Sequence, residues 1–488
     1  MRRPIRWSGR NTSAKPLPRA AAGIALAMLC GCAAVGPDYQ PPTVQGPAQW
    51  TVVSESRAAD PAVLAQWWRE FDDPVLNGLV ADALAANLDL ATARAQLREA
   101  RAQRMLAGAQ FGPSVEASTS GSRNKSSRQA GLGTTTELYS AGFDASWEAD
   151  VFGGLRRGVE AAEADVGASV EDLRDARVSL VAEVVINYVD LRTAERRLAI
   201  ARDSLASLGE IYDLARWRQQ AGLVSELDVA QALTELESTR AALPALRTAA
   251  VEPRNRLAVL LDASPEAMQS RLTATGAIPL LGREAAVGIP ADTLRRRPDV
   301  RSAERSLAAQ TARLGEAEAA RYPSFGLSGS IGLEALTLST LGGGGSGLYS
   351  LVASLTAPVF DSGRIAANIE TQDARLEQAR LAYRATLLTA VEDVENALTA
   401  VANTAERREQ LGRAAATARA TLDLADQRYA GGLVDFLTVL DSQRTLQDLE
   451  DQQAVSTGEL AQAQAQLYKA LGGGWTPDTD PQTPRTGS

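Results

Sequence analysis

Residues 139–148 alternate without a break. Tyr139, Ala141, Phe143, Ala145 and Trp147 fall on one side, and Ser140, Gly142, Asp144, Ser146 and Glu148 on the other. A period of two marks a strand with one apolar and one polar face. Phe325, Leu327, Ile331 and Leu333 alternate in the same way with Gly326, Ser328, Ser330 and Gly332, and Tyr349, Leu351, Ala353 and Leu355 with Ser350, Ser354 and Thr356. A fourth stretch, Ser114 to Ser122, is weaker. The pattern predicts strands over about 114–122, 138–149, 324–333 and 347–357, joined in pairs by polar loops at 123–137 and 334–347. Elsewhere the spacing changes to three and four. Val181, Val184, Tyr188, Leu191 and Leu198 form one apolar seam, and Leu387, Val391, Val394, Leu398 and Val401 another, with coiled-coil periodicity. No proline occurs between Pro113 and Pro244 or between Pro358 and Pro477. Each long run is interrupted once, at Ala221-Gly222 and at Gly431-Gly432, where glycine suits a helix end and a reversal. Two long antiparallel helical hairpins are therefore predicted, about 159–262 and 363–471; a helix over 159–219 alone would reach roughly 90 Å. A shorter helix precedes each strand pair, over about 75–110 and 298–321, the second entered at Pro298-Asp299.

The chain also repeats itself. Asp89 and Ala93 match Asp299 and Ala303, and Pro113 matches Pro323. Asp213-Leu214-Ala215 matches Asp423-Leu424-Ala425, Gly222-Leu223-Val224 matches Gly432-Leu433-Val434, and Leu261 matches Leu471. All these pairs share one offset, 210 in the numbering, which is far beyond the period of a solenoid and implies two equivalent halves. The halves are read as residues 75–288 and 289–475, preceded by a segment 32–74 and followed by a flexible tail 476–488.

Composition narrows the chemistry. The 488 residues include no histidine and two cysteines, and aromatics make up 5%. Without imidazole there is no Ser-His-Asp or Cys-His catalysis and none of the usual zinc sites. No enzyme, metal site or cofactor is expected. Residues 1–31 hold six basic residues and no acidic one, followed by an apolar run from Ala20 to Leu29, the pattern of an export signal. The segment ends Leu29-Cys30-Gly31-Cys32, which resembles a bacterial lipobox. That resemblance implies cleavage before Cys32 and a covalent lipid on the Cys32 thiol, with cleavage before Cys30 as the alternative. Removing the signal takes the formal charge from −9 to −15 and leaves no polybasic patch that would point to nucleic acid.

The strands make a physical demand. Each is about 9–12 residues, long enough to span a bilayer. Four strands alone would leave open edges in hydrocarbon, and about eight is the usual minimum for a closed barrel. The chain must then oligomerise: two copies supply eight strands and three supply twelve.

Read together, several segments resemble the outer membrane factor (TolC-like) family, in its OprM/NodT-type lipoprotein branch. They are Gly31-Cys32-Ala33-Ala34-Val35-Gly36-Pro37-Asp38-Tyr39, Phe71-Asp72-Asp73-Pro74-Val75-Leu76, Asn87-Leu88-Asp89-Leu90, Gly222-Leu223-Val224-Ser225 with Leu227-Asp228-Val229, and Arg296-Arg297-Pro298-Asp299-Val300-Arg301. In this order they cover residues 32 to about 475. The resemblance implies a mainly α fold with a membrane β-barrel portion. Three copies would share a twelve-stranded barrel, four strands per chain, in the outer membrane, continued by a periplasmic α-helical barrel. Function would be passive conduction of drugs or other small molecules delivered by an inner-membrane resistance-nodulation-division pump through a periplasmic adaptor protein.

By the same resemblance the hairpin turns are the periplasmic tips. Gly222, Leu223, Val224 and Ser225, with Gly432, Leu433 and Val434, would meet the adaptor. Leu437 and Asp441 would narrow the aperture, Arg444 lies one helical turn beyond, and Tyr429 would join a hydrogen-bonded layer with Asp228 as its counterpart. Three copies of Asp441 form a carboxylate ring that favours cations. TolC-like gates often carry a second acid three residues before this one, and here that position is Thr438. Asp144 and Glu148, on the polar strand face, would line the barrel lumen. Asp72-Asp73 reads as a helix entry and Gly342 to Gly345 as a loop. Arg156 and Arg364, at strand-to-helix junctions, read as structural. The alternatives are a channel for type I protein secretion, a non-channel periplasmic scaffold lipoprotein, and an exported hydrolase, for which no concave site is marked.

Overall fold

The computed structural model describes residues 34–43, 49–51, 60–273, 275–282 and 290–476. The export signal with Cys30 and Cys32, and the tail 477–488, lie outside the described residues. In chain order the elements are α1 (Pro61–Ala65), a 3-10 turn (Trp67–Phe71), α2 (Pro74–Ala86), α3 (Leu88–Ala109), β1 (Ser114–Lys125), β2 (Thr135–Ala149), α4 (Gly154–Gln220), α5 (Glu226–Leu260) and α6 (Pro265–Arg271). There follow α7 (Pro290–Arg296), α8 (Pro298–Ala319), β3 (Ser324–Ala335), a 3-10 turn (Leu338–Thr340), β4 (Gly347–Thr356), α9 (Arg364–Ala430) and α10 (Phe436–Ala470).

The duplication is visible in the backbone. Helices α3 and α8 are both 22 residues, α4 and α9 both 67, and α5 and α10 both 35, and the starts of each pair keep the offset of the sequence repeat. Positive φ angles recur at the same offset: Gly153 and Gly363 (81° and 85°), Gly222 and Gly432 (74° and 70°), Asp262 and Gly472 (50° and 69°). One expectation is corrected. The helix read over 75–110 is two helices, broken at Asn87, whose Oδ1 accepts the Leu90 N–H at 2.9 Å as a cap and whose Nδ2 donates to the Leu260 carbonyl at 3.0 Å. Its counterpart in the second half, Arg297, donates from Nη1 to the Ala470 carbonyl at 3.1 Å. Each half thus ties the end of its returning hairpin arm to the start of its short helix.

The chain packs as two units. One gathers the described residues up to Gln40, Ala102–Ala164 and Ala308–Gln378, and holds a four-stranded antiparallel sheet in the order β1-β2-β3-β4. The register keeps like with like. Phe143 faces Ile331, Trp147 faces Leu327, and Ile331 faces Tyr349 on one side. On the other, Ser120 and Ser140 hydroxyls meet at 2.8 Å, as do those of Ser330 and Ser350. The apolar face is not covered: Val115, Phe143, Ile331, Tyr349, Leu351 and Leu355 are all exposed. Strand β1 continues to Lys125, past the expected Ser122, because its partner β2 begins at Thr135 and pairs with it throughout.

The second unit gathers Pro41–Arg101, Asp165–Leu307 and the described residues from Ala379 on, and is helical. Val181, Val184, Tyr188 and Leu191 of the first predicted seam are fully buried among Trp67, Leu76, Leu79, Leu257 and Leu471. Asp73, the expected helix entry, accepts the Val75 and Leu76 N–H groups at 2.8 and 3.1 Å. It also accepts the Tyr188 hydroxyl at 2.7 Å, and burial together with this carboxylate pushes the Tyr188 phenol up to about 12. Arg419 pairs with Glu450 and Arg407 with Glu459, so α9 and α10 run antiparallel. The two hairpins are joined where α4 meets α10. Arg197 holds Asp451 in a fork of 2.8 and 2.9 Å, Ser204 donates to Gln447, and Gln462 donates to Asp190. At Gly458 the two helices touch so closely that an added Cβ would overlap the Thr193 side chain. Gly458→Ala should therefore cost about 1–3 kcal/mol through overpacking. Thermal unfolding of the purified protein checks this, with Thr193→Ala expected to restore part of the loss. An unchanged melting profile for the single variant would show that the helices part freely.

Candidate functional site

Both hairpin turns are built by the same device. The Leu223 N–H donates to the Arg218 carbonyl and the Gly222 N–H to the Gln219 carbonyl, each at 2.9 Å. At the second turn Leu433 donates to Arg428 at 2.9 Å and Gly432 to Tyr429 at 3.0 Å. This nested pair of bonds closes a helix only when the residue after its end is left-handed, and glycine takes that conformation without strain. The next helix is capped in each case, with the chemistry reversed. At the first turn Ser225 Oγ accepts the Asp228 N–H, and the Asp228 carboxylate accepts the Ser225 N–H and hydroxyl at 2.9 and 2.8 Å. At the second, Asp435 accepts the N–H and hydroxyl of Thr438 at 2.9 and 2.5 Å, which holds its carboxyl below the usual carboxylate range. The residue at 438 is therefore occupied as the partner of a cap, and the acid of that pair sits at 435.

Between the turns lies a cleft of about 480 Å³ lined by Arg218, Gly222, Leu223, Val224, Ser225, Asp228, Tyr429, Gly432, Val434, Asp435 and Phe436. Its floor is a small core of Leu208, Ala215, Ala232, Leu236, Ala425, Tyr429, Phe436, Val439 and Leu440, drawn from both hairpins. Leu223 in its lining and Leu433, between the lining residues Gly432 and Val434, are 73% and 77% exposed. Tyr429 is buried beneath the Arg218 guanidinium, 4.3 Å from the ring centroid, and tilts against Phe436 at 5.7 Å. Its hydroxyl has no partner among the described residues. Tyr429 and Asp228 line the same cleft without a hydrogen bond between them, and the Asp228 carboxylate is held by Ser225.

On α10, Val439 and Leu440 turn into the tip core, whereas Leu437 is 51% exposed and Asp441, one turn on, is exposed beside it. Arg444 ends this stripe and forks onto Glu235 of α5, and that hydrogen bond and charge raise the guanidinium pKa. Glu235, absent from the sequence reading, thus joins the second hairpin to the first at the level of the candidate gate.

On the polar face of the sheet, Asp144 lies directly opposite Glu116 and accepts the Ser118 hydroxyl at 3.0 Å, while Glu148 lies opposite Gly326. Like charges facing each other across strands destabilise a sheet, so the pair needs a reason other than folding. Glu116 escaped the sequence reading because β1 carries small residues, Ala117, Thr119 and Gly121, where an apolar alternation would mark it.

Among the described residues no helix is long and apolar enough to cross a membrane, and no group of three or more His, Cys, Asp or Glu side chains converges as a metal site.

Comparison with known proteins bears on this geometry. Residues 79–263 and 289–473 each match the family described as outer membrane efflux protein, so the two matches repeat the offset of the internal duplication. Nodulation protein T of Rhizobium leguminosarum bv. viciae is 34% identical over 457 residues, covering 94% of both chains. The pyoverdine export outer membrane protein OpmQ of Pseudomonas putida is 34% identical over 451 residues, covering 90% of this chain and 94% of its own. Among solved structures, the outer-membrane channel OprN superposes with a TM-score of 0.86 at 35% identity, covering 90% of this chain and 99% of that one.

Proposed function

The chain belongs to the outer membrane efflux protein family and is an outer membrane efflux channel, and from that premise we propose that three copies assemble one conduit served by a periplasmic adaptor and an inner-membrane resistance-nodulation-division pump. The observation that carries this is the sheet. Its apolar face is bare and its edge strands β1 and β4 lack partners among the described residues, so it satisfies its backbone in a bilayer only when copies close the ring. Twelve strands leave a lumen wider than side chains fill.

Conduction needs no reactive group, and the chain does no chemistry on its cargo. Energy comes from the pump. The lumen carries the Ser rows and the acids Glu116, Asp144 and Glu148. At the periplasmic end Leu437 and Asp441 form the constriction, and Arg444 with Glu235 holds it shut. The cleft between the turns, with the exposed Leu223 and Leu433 of the two turns, receives the apolar tip of the adaptor. Cys32 carries the lipid that anchors each chain in the outer membrane, and no other cofactor is required.

Planar bilayers test the conduit. Purified protein carrying Arg444→Ala, to keep the gate from masking the pore, should give discrete conductance steps with a cation preference. Adding Glu116→Gln, Asp144→Asn and Glu148→Gln should lower the cation-to-anion permeability ratio by about twofold or more, since fixed charge in a pore sets its selectivity. Absence of steps would refute the channel, and an unmoved reversal potential would refute the lumen assignment.

A further inference from the structure

The polar interactions of the strand–helix junction are asymmetric between two halves that are otherwise superimposable in sequence offset. In the second half, the turn at Gly363 is open: an added Cβ there would meet nothing within 4 Å among the described residues. In the first half the equivalent Gly153 is covered, and a Cβ would lie 2.6 Å from the Ala34 Cα. What covers it is the N-terminal segment. The Val35 N–H donates to the Phe152 carbonyl at 3.0 Å. Arg157, on the first turn of α4, donates from Nε to the Val35 carbonyl at 3.1 Å and from Nη2 to the Gly36 carbonyl at 3.2 Å and the Asp38 carboxylate at 2.7 Å. Its Nη1 donates to Glu160 at 2.8 Å. Gly36, at φ +91°, lies against α8 so closely that a Cβ would overlap the Gly315 Cα.

The Arg157 side chain is only 5% exposed. A buried guanidinium is tolerated only when its donors are met, and residues 35–38 meet most of them. Segment and arginine therefore depend on each other. The position equivalent to Arg157 in the second half is Ala367. An N-terminus occurs once per chain, and so does this arginine, which sets Arg157 apart from the duplicated framework. The same Phe152 that receives Val35 stacks on Tyr322 at 4.8 Å and lies 6.4 Å from Phe325, at the foot of the apolar sheet face. Aromatic rings concentrate at the membrane–water boundary.

We propose that Arg157 is a clamp that seats residues 35–38 at this aromatic collar and so fixes the level at which the chain's lipid anchor meets the headgroup region of the membrane. The level rests on the reading that Cys32 is acylated; the clamp itself does not. From Cys32 to Ala34 the chain can span at most about 7 Å, so a seated segment leaves the anchor little freedom of height.

The test uses the full-length protein in liposomes with a single spin label at Gln40→Cys, an exposed position just past the clamp. The mature chain offers no competing free thiol once Cys32 is acylated, and the mass of the N-terminal peptide reports that acylation separately. With Arg157 intact the label should move slowly and sit at headgroup depth by its collision with oxygen against an aqueous relaxer. Arg157→Ala should release it to fast nanosecond motion and to the aqueous phase, with melting otherwise retained. Arg157→Lys, which keeps charge but not the fork, should release it partly. Should Arg157→Ala fail to fold, Gly36→Val displaces the segment from the opposite side while leaving Arg157 and Glu160 in place. A label equally immobile in a folded Arg157→Ala or Gly36→Val protein would overturn the clamp. Absence of the acyl mass would overturn the lipid reading, and the clamp is then read by the same comparison with Cys30→Ser and Cys32→Ser added, where Gln40→Cys is the single thiol; an immobile label in water would overturn the level.

Discussion

Arg444→Ala should raise the resting conductance of the reconstituted channel by about tenfold. Arg444 joins α10 to Glu235 of α5, so it couples the second hairpin to the first beside Leu437 and Asp441. A single partly exposed ion pair is worth about 0.2–1 kcal/mol. In the proposed trimer closure makes three such pairs at once, and about 1.4 kcal/mol is already a factor of ten in the closed-to-open ratio. Glu235→Gln should act in the same direction, and the charge swap Arg444→Glu with Glu235→Arg should return conductance toward the original. Leu437→Ala with Asp441→Ala should widen the opening itself, giving larger steps rather than more frequent ones. A resting conductance indifferent to Arg444→Ala and to the Leu437, Asp441 pair would remove the gate from this end of the molecule.

The second large effect concerns how copies join, and here the internal repeat supplies the register. Within the chain, Asp144 of β2 faces Ser330 of β3. Ser146 lies opposite Ser114 and Thr356 opposite Ser324, which makes β4 the counterpart of β2 in the duplication, as β3 is of β1. Moving each partner of the Asp144–Ser330 pair to its counterpart places Ser354 of one copy opposite Ser120 of the next. Ser354→Cys with Ser120→Cys should therefore cross-link nearly all of the protein under a water-soluble oxidant, in a ladder that ends at three chains. Directly opposed residues lie about 5 Å apart, and a slip of two residues adds about 7 Å along the strand. That exceeds the reach of a disulfide. Ser354→Cys with Ser118→Cys or Ser122→Cys should then give little product. A ladder ending at two, or equal yields from all three pairs, would refute the arrangement.

Much of this was legible in the amino-acid order because the features are periodic. The sheet faces follow from single alternations such as Tyr139 to Glu148, and both turns follow from one glycine each. The break at Asn87 was not, because Asn87 and Leu88 sit in a run whose apolar spacing continues smoothly across it; only the amide's reach to Leu260 reveals why the helix stops. Helix α4 starts at Gly154, earlier than the seam suggests, because the Asp150 carboxylate caps it through the Leu155 and Arg156 N–H groups. Pro244 and Pro253 sit inside α5 without ending it, a tertiary outcome that helix propensity opposes. Glu235 could have been found. Positions related by the repeat occupy the same level of the two hairpins, so the partner of Arg444 belongs beside its own counterpart, Thr234. Arg157 could not, because most of its acceptors come from a distant N-terminal segment, and only the fold joins them.

The matched helix lengths, 67 with 67 and 35 with 35, also constrain how such a chain can evolve. Each residue inserted into one arm advances it about 1.5 Å and turns everything beyond it by about 100°, so an unmatched insertion would lift one turn out of line with the other and swing its contact stripe away. The arms of a hairpin must lengthen together, and the two hairpins must follow. Inherited changes in length should accordingly arrive as near-whole turns repeated at four sites in one gene. In this lineage reach is a quantised trait, harder to alter than almost any single side chain along it.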